Sequence, residues 1–174
     1  MARLPYADLS AEAVKPLAER IAAQRGSVLH LYQMLLHSPP VAQGWLAYLT
    51  AIRQQTTISG ALRELVIMRV AVLNGAPYEA EQHAPIALTE GITQGQLDAL
   101  GNWESSQAFS SLERAVLAYT DAMTRVVQVP QEVFAAVQSQ MDESQLVELT
   151  ATIAAYNMVS RFLEALQIHS EDPR

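Results

Sequence analysis

The sequence predicts an all-α protein, a single-domain bundle of about eight helices spanning residues 1–174. Three observations carry this expectation. Apolar side chains recur at three- and four-residue spacing through most of the chain, the period of a helix with one buried face. Ser, Thr and Asp stand ahead of such runs, with Gly and Pro between them, in the order expected of helix caps and breakers. No stretch alternates apolar and polar residues as a half-buried strand would, and 50% of the residues are hydrophobic, enough for one core without a linker.

Taken in order, residues 1–9 read as an extended lead-in that includes Pro5, and Ser10 caps a first helix running to about Gln24, closed by Gly26. A second helix begins near Val28, carries Leu29, Tyr32, Leu35 and Leu36, and stops before Ser38-Pro39-Pro40. The prolines open a third, with Val41, Trp45, Tyr48, Leu49 and Ile52 as its apolar face and Thr56-Thr57 as its break. Ser59 caps a helix bearing Leu62, Leu65, Val66, Val70 and Leu73, and Gly75 ends it. Pro77 suits the first turn of the next helix, where its missing N–H costs nothing, and Gly91 stops that helix. Thr93 caps a short helix with Leu97 and Leu100 inward, and Gly101 to Phe109 is the most loop-like stretch. Ser110 or Ser111 caps the helix of Leu112, Val116, Tyr119, Met123 and Val126; with Ser110 as cap, Glu113 completes a capping box. Pro130 begins a helix through about Gln140, and Asp142 caps a long last one with Leu146, Leu149, Ile153, Tyr156, Val159, Leu163 and Leu166 on one side.

Composition excludes several function classes. The formal charge of −7, from 18 acidic against 11 basic residues without a Lys/Arg cluster, argues against a nucleic-acid partner. It leaves room for a small anionic substrate held by local arginines. The absence of cysteine rules out disulfides, thiolate metal sites and thiol peroxidase chemistry by this chain alone. The first residues lack the apolar core of a signal peptide and no run of about 18 apolar residues occurs, so the expectation is a cytoplasmic protein with no membrane partner.

Chemistry concentrates between Leu62 and Gly91. Glu79 and His83 are four apart and project from one helix face. Such a pair can be plain surface support, but histidine is also the side chain suited to proton transfer near neutral pH, and a carboxylate one turn away can orient its ring. Glu64 stands in the first turn of the preceding helix, where a carboxylate also meets the helix dipole favourably. Pro85, two residues past His83, removes the partner of the Glu81 carbonyl and either bends the helix or divides it. The candidates for a substrate anion are Arg63, Arg69 and Arg161, each in an otherwise apolar helix, and Arg161 has a salt bridge to Glu148 or Glu164 as its alternative. Tyr78 is a candidate border of the same pocket. Glu64, Glu79 and His83 offer metal ligands, yet Glu-x-x-x-His differs from the Glu-x-x-His of di-iron bundles, and HExxH is missing; neither a metal nor a cofactor is expected. His30, His37 and His169 read as incidental.

The stretch RELVIMRVAVLNGAPYE followed by QHAPIAL resembles the carboxymuconolactone decarboxylase and alkyl hydroperoxidase D-like proteins. In the hydroperoxidase branch the pattern is a Glu, eleven residues, a Cys, two residues, a second Cys, three residues and a His. Here those positions read Glu64, Ala76, Glu79 and His83, so this chain resembles a cysteine-free branch nearer the decarboxylases. LLHSPPVAQGWL, SLERAVLAYTDAMTRVVQVPQEVF and LVELTATIAAYNMVSRFLEAL extend the likeness over nearly the whole chain. The resemblance implies the family's all-helical fold, a trimer or hexamer of identical chains, and a small-molecule substrate. It implies decarboxylation of a carboxylated lactone or related acid, with His83 moving the proton, Glu79 orienting it and Glu64 completing the relay. Hydroperoxide reduction by the family's route lacks both thiols, and a non-catalytic helical assembly or binding module is the remaining alternative.

Overall fold

The computed structural model describes residues 1–173. Among them are nine α-helices and one 3₁₀ turn, and no strand: α1 Lys15–Arg25, α2 His30–Leu35, α3 Pro39–Gln54, α4 Gly60–Asn74, α5 Pro77–Thr89, α6 Gln94–Ala99, the 3₁₀ turn Leu100–Ser105, α7 Ser111–Arg125, α8 Gln131–Gln138 and α9 Glu143–Leu166. Among the described residues no helix is long and apolar enough to cross a membrane.

α4 is the axis of the bundle, packed against α5, α7 and α9. Eight consecutive residues of it, Glu64 to Ala71, are buried, so it shows no one-sided stripe and behaves as a helix wrapped on all sides. The larger core joins α1, α2, α3, α7 and α9 to the Val66, Ile67 and Val70 side of α4. A smaller one sits under Leu65 and Met68, built with Ala87, Ile92, Leu100, Trp103, Phe109 and Leu117.

The punctuation expected around the central pair is present. The Ser59 side chain accepts from the Leu62 N–H, and Gly75 ends α4 in the left-handed region at φ 61°. Pro77 occupies the first turn of α5, and capping boxes stand at Thr93, Ser110 and Asp142. Pro85 neither ends nor divides α5, which runs on to Thr89. Glu148 of α9 fastens the turn into α4, its Oε2 accepting from the Thr57 and Ile58 N–H groups and the Thr57 hydroxyl.

Three expectations are corrected. Ser10 does not cap α1: its hydroxyl and N–H both go to the Asp8 carboxylate, and the helix begins at Lys15, with Pro16 in its first turn. The buried face of α3 is Ala42, Leu46, Leu49 and Ile52, leaving Val41 and Tyr48 exposed and Trp45 half-buried against Phe162. Two apolar stripes overlap on this helix, and the one led by the smaller Ala42 packs inward. The segment after Leu100 is partly ordered as a 3₁₀ turn because Trp103 is buried and its indole N–H meets Asp121 at 3.4 Å.

Candidate functional site

The Asn74-Gly75-Ala76 hinge folds α5 back along α4, which brings Glu64, in the second turn of α4 and not the first as expected, beside the middle of α5. Glu64, Glu79 and His83 meet there, with relative exposures of 0%, 3% and 5%. His83 Nδ1 lies 2.6 Å from Glu64 Oε2, and His83 Nε2 lies 3.3 Å from Glu79 Oε1. The other Glu64 oxygen accepts from Arg63 Nε at 3.1 Å, and Arg63 Nη2 reaches Glu90 at 3.1 Å. Gly60 makes room for that contact, since a Cβ there would stand 1.7 Å from the Glu90 carboxylate. The result is a continuous line, Glu90–Arg63–Glu64–His83–Glu79, from the surface to the interior. Tyr156 lies edge-on to His83, ring centroids 5.2 Å apart, and its enclosed hydroxyl has no hydrogen-bond partner among the described residues.

The two carboxyl groups are pushed in opposite directions. Burial raises Glu64, but the hydrogen bond and charge of His83 and the Arg63 guanidinium outweigh it, so Glu64 sits below the ordinary glutamate range. Burial dominates at Glu79, whose pKa is raised, with His83 and Arg53 opposing and Glu64 reinforcing the shift. An ionised Glu64 has only lone pairs to offer, so the His83 tautomer that satisfies it is the one with the proton on Nδ1. Nε2 is then left to Glu79, the carboxyl held towards its protonated form. Two carboxylates with opposed shifts on either side of one imidazole are the arrangement from which acid and base roles can be assigned.

His83 opens on a cleft of about 290 Å³ lined by Gln24, Arg25, Leu29, Arg53, Gln54, Gln82, His83 and Ile86. The walls come from the end of α1, the end of α3 and the outer face of α5. Among the described residues no three His, Asp or Glu side chains are grouped where they could share a metal ion.

Residues 39–122 match the sequence model of the carboxymuconolactone decarboxylase family, and that segment contains Glu64, Glu79 and His83. Over that segment the chain is similar to the carboxymuconolactone decarboxylase family. The uncharacterized protein YdfG of Bacillus subtilis is 29% identical over 115 residues, covering 65% of this chain and 78% of that protein. The alkyl hydroperoxidase D core protein of Ralstonia eutropha JMP134, described as peroxidase-related, superposes with a TM-score of 0.83 at 16% identity, covering 98% of this chain and 93% of the other. A variant of the debrominase Bmp8 in complex with 2,3,4-tribromopyrrole superposes at 0.82 with 18% identity, covering 98% and 94%. At these identities the two solved structures speak for the fold alone.

In this chain Glu64, Glu79 and His83 converge, while Tyr78, Arg69 and Arg161 stand apart from the cleft. Tyr78 is buried near His30, ring centroids 6.4 Å apart. Arg69 is buried on another side of α4, where Nε and Nη2 each donate to Asp121 at 2.6 Å and Nη1 donates to the Leu100 carbonyl. Three of its N–H groups are thus spent on joining α4 to α7 and to the 3₁₀ turn. Arg161 is exposed and turns back on Asn157, one turn earlier in α9, rather than pairing with Glu148 or Glu164. Arg63, also considered for an anion, is committed to Glu64 and Glu90.

The cleft's arginines are Arg25 and Arg53, which the sequence does not single out. Each stands in the last turn of its helix, where a cation reads as ordinary complement to the helix dipole. Their sequence signal is weak, and only the packing of α1 and α3 over α5 brings them to His83. Arg25 donates from Nη2 to the Thr50 hydroxyl at 2.8 Å, but its enclosed Nε and Nη1 find no acceptor among the described residues. A buried donor left unpaired costs about 1–3 kcal/mol, and more when charged.

Proposed function

We propose that the protein is a proton-transfer enzyme of carboxymuconolactone decarboxylase type, working without a thiol on a small carboxylated lactone or related acid. The observation that carries this reading is the buried Glu64–His83–Glu79 line, whose histidine alone of the three borders the cleft. Hydroperoxide reduction by a thiolate is unavailable to a chain with no cysteine.

In the decarboxylation, the C–C bond to the substrate carboxylate breaks, carbon dioxide leaves, and the electron pair passes into the conjugated carbonyl system. The carbon that takes the charge then needs one proton. Glu79 first passes its proton to Nε2, giving an imidazolium that Glu64 stabilises, and His83 then turns that same proton over from Nε2 to the carbon. Glu79 ends ionised and is reprotonated from the cleft by way of His83, which alone of the three borders it. The sequence of steps needs no cofactor or metal. Assembly as a trimer or hexamer belongs to the same proposal, supported by Tyr48, Val147 and Met158, which α3 and α9 leave exposed. Light scattering of the pure protein would decide that point.

The test is carbon dioxide release from a panel of carboxylated lactones and β-keto acids, with His83→Ala alongside. A positioned acid–base group contributes about 10²–10⁴-fold, so the variant should lose turnover on that scale while its circular dichroism stays unchanged. A wild type that releases none across the panel would remove the decarboxylase reading.

A further inference from the structure

We propose that Arg25 and Arg53 form the carboxylate clamp of the cleft, so that a compact, singly charged organic acid docks with its carboxylate between α1 and α3 and its reacting carbon towards His83. The assignment rests on the reading of His83 as the reacting end. Arg53 is half-buried, lines the cleft, and makes no hydrogen bond or ion pair with any described residue. A partly enclosed guanidinium that faces only Glu79 through charge and is hydrogen-bonded to no carboxylate is unusual in a chain carrying −7 overall. Arg25 is tied only through Nη2 to Thr50, with Nε and Nη1 unmet. A carboxylate in the cleft reaches those donors once the guanidinium turns away from Thr50, and it then gains charge-assisted hydrogen bonds.

The rest of the lining fits the same ligand. Gln24, Gln54 and Gln82 supply neutral polar contacts, Leu29 and Ile86 supply apolar ones, and no Asp or Glu borders the space. Glu79, which lies behind His83, is held towards its uncharged form and so presents little repulsion. The charge type also follows from the elements. Both arginines sit at helix C-termini, which offer none of the N-terminal N–H groups that phosphate sites draw on, so the guanidinium charges alone meet the anion. A volume of about 290 Å³ suits one small ring. Arg25 lies outside residues 39–122, so part of the substrate selection comes from a segment beyond the part matched to the family.

The experiment is calorimetric binding of 2-furoate and of its uncharged isostere 2-furamide to wild type, Arg25→Gln, Arg53→Gln and His83→Ala. Arg25→Lys and Arg53→Lys serve as charge-keeping controls. The clamp predicts that wild type and His83→Ala prefer furoate by at least tenfold. Each Gln variant should lose at least tenfold in furoate affinity with furamide unaffected, each Lys variant should lose less, and inorganic phosphate should not displace furoate at equal concentration. Equal binding of furoate and furamide, no binding of furoate by wild type at millimolar concentration, Gln variants that bind as wild type does, or ready displacement by phosphate would each overturn it. The two readings fail separately. Furoate preference in a protein without turnover keeps the clamp and removes the decarboxylase. Turnover that survives unchanged in both Gln variants does the reverse.

Discussion

Glu64 and Glu79 have nearly equal burial and opposite tendencies, which makes them the most informative residues for pH. Glu64 is lowered in the folded protein, so the unfolded chain takes up its proton first as pH falls. Its stabilisation is present above the unfolded value near 4.5 and disappears as pH drops through the lower folded value. Glu79 is raised, so its contribution is complete below the unfolded value and is lost as pH climbs through the folded one. Thermal melts of Glu64→Gln from about pH 3 to 6 should therefore show a shallower acid limb than wild type, and Glu79→Gln should melt no lower than wild type above about pH 7. An acid limb unchanged in Glu64→Gln would mean that the carboxylate is not held ionised by His83 and Arg63. The i,i+4 spacing of Glu79 and His83 was legible in the sequence. The Arg63–Glu90 support was not, because it depends on how α5 returns past the start of α4.

At the scale of elements, the hinge between α4 and α5 sets the register of the site. Gly75 adopts φ 61° with open space where a Cβ would point, so Gly75→Ala pays for conformation alone. A left-handed non-glycine residue costs about 1–2 kcal/mol, and urea melts should report a loss of that size. Caps were readable because their chemistry is local: Ser59, Thr93, Ser110 and Asp142 all act within three residues. Ser10 misled because Asp8, two residues away, offers its hydroxyl and N–H a better partner. The face of α3 was ambiguous because Val41, Trp45 and Tyr48 satisfy the helical period as well as Ala42, Leu46 and Leu49 do. Only neighbouring helices choose between two such stripes.

At the scale of the whole molecule, arginine separates what builds the fold from what borders the cleft. Arg69 and Asp121 form a buried bidentate pair that joins α4 to α7 beneath Trp103. Removing one partner of such a pair costs about 3–5 kcal/mol, so Arg69→Leu should be strongly destabilised in urea melts. Its remaining folded fraction should still bind furoate as wild type does. Loss of binding without loss of stability would instead assign Arg69 to the ligand. The sequence singled out Arg69 for a substrate anion and passed over Arg25 and Arg53, with Arg25 falling just past the expected end of the first helix. An arginine's role is decided by the carboxylate or empty space opposite it, and that partner comes from 52 residues away in the case of Asp121. The all-helical class was clear from periodicity, and even the short α6 and α8 were legible, from the Thr93 cap and from Pro130.

The central claim is that Glu64 is ionised and fixes the proton of His83 on Nδ1, leaving Nε2 for exchange with Glu79 and substrate. ¹⁵N NMR of the histidine rings, with His83 assigned by its loss in His83→Ala, reads this directly and needs no substrate. The account predicts a protonated Nδ1 at neutral pH, with a strongly hydrogen-bonded proton that is lost in Glu64→Gln. A bare Nδ1 with the proton held on Nε2 would contradict the relay and the function built on it.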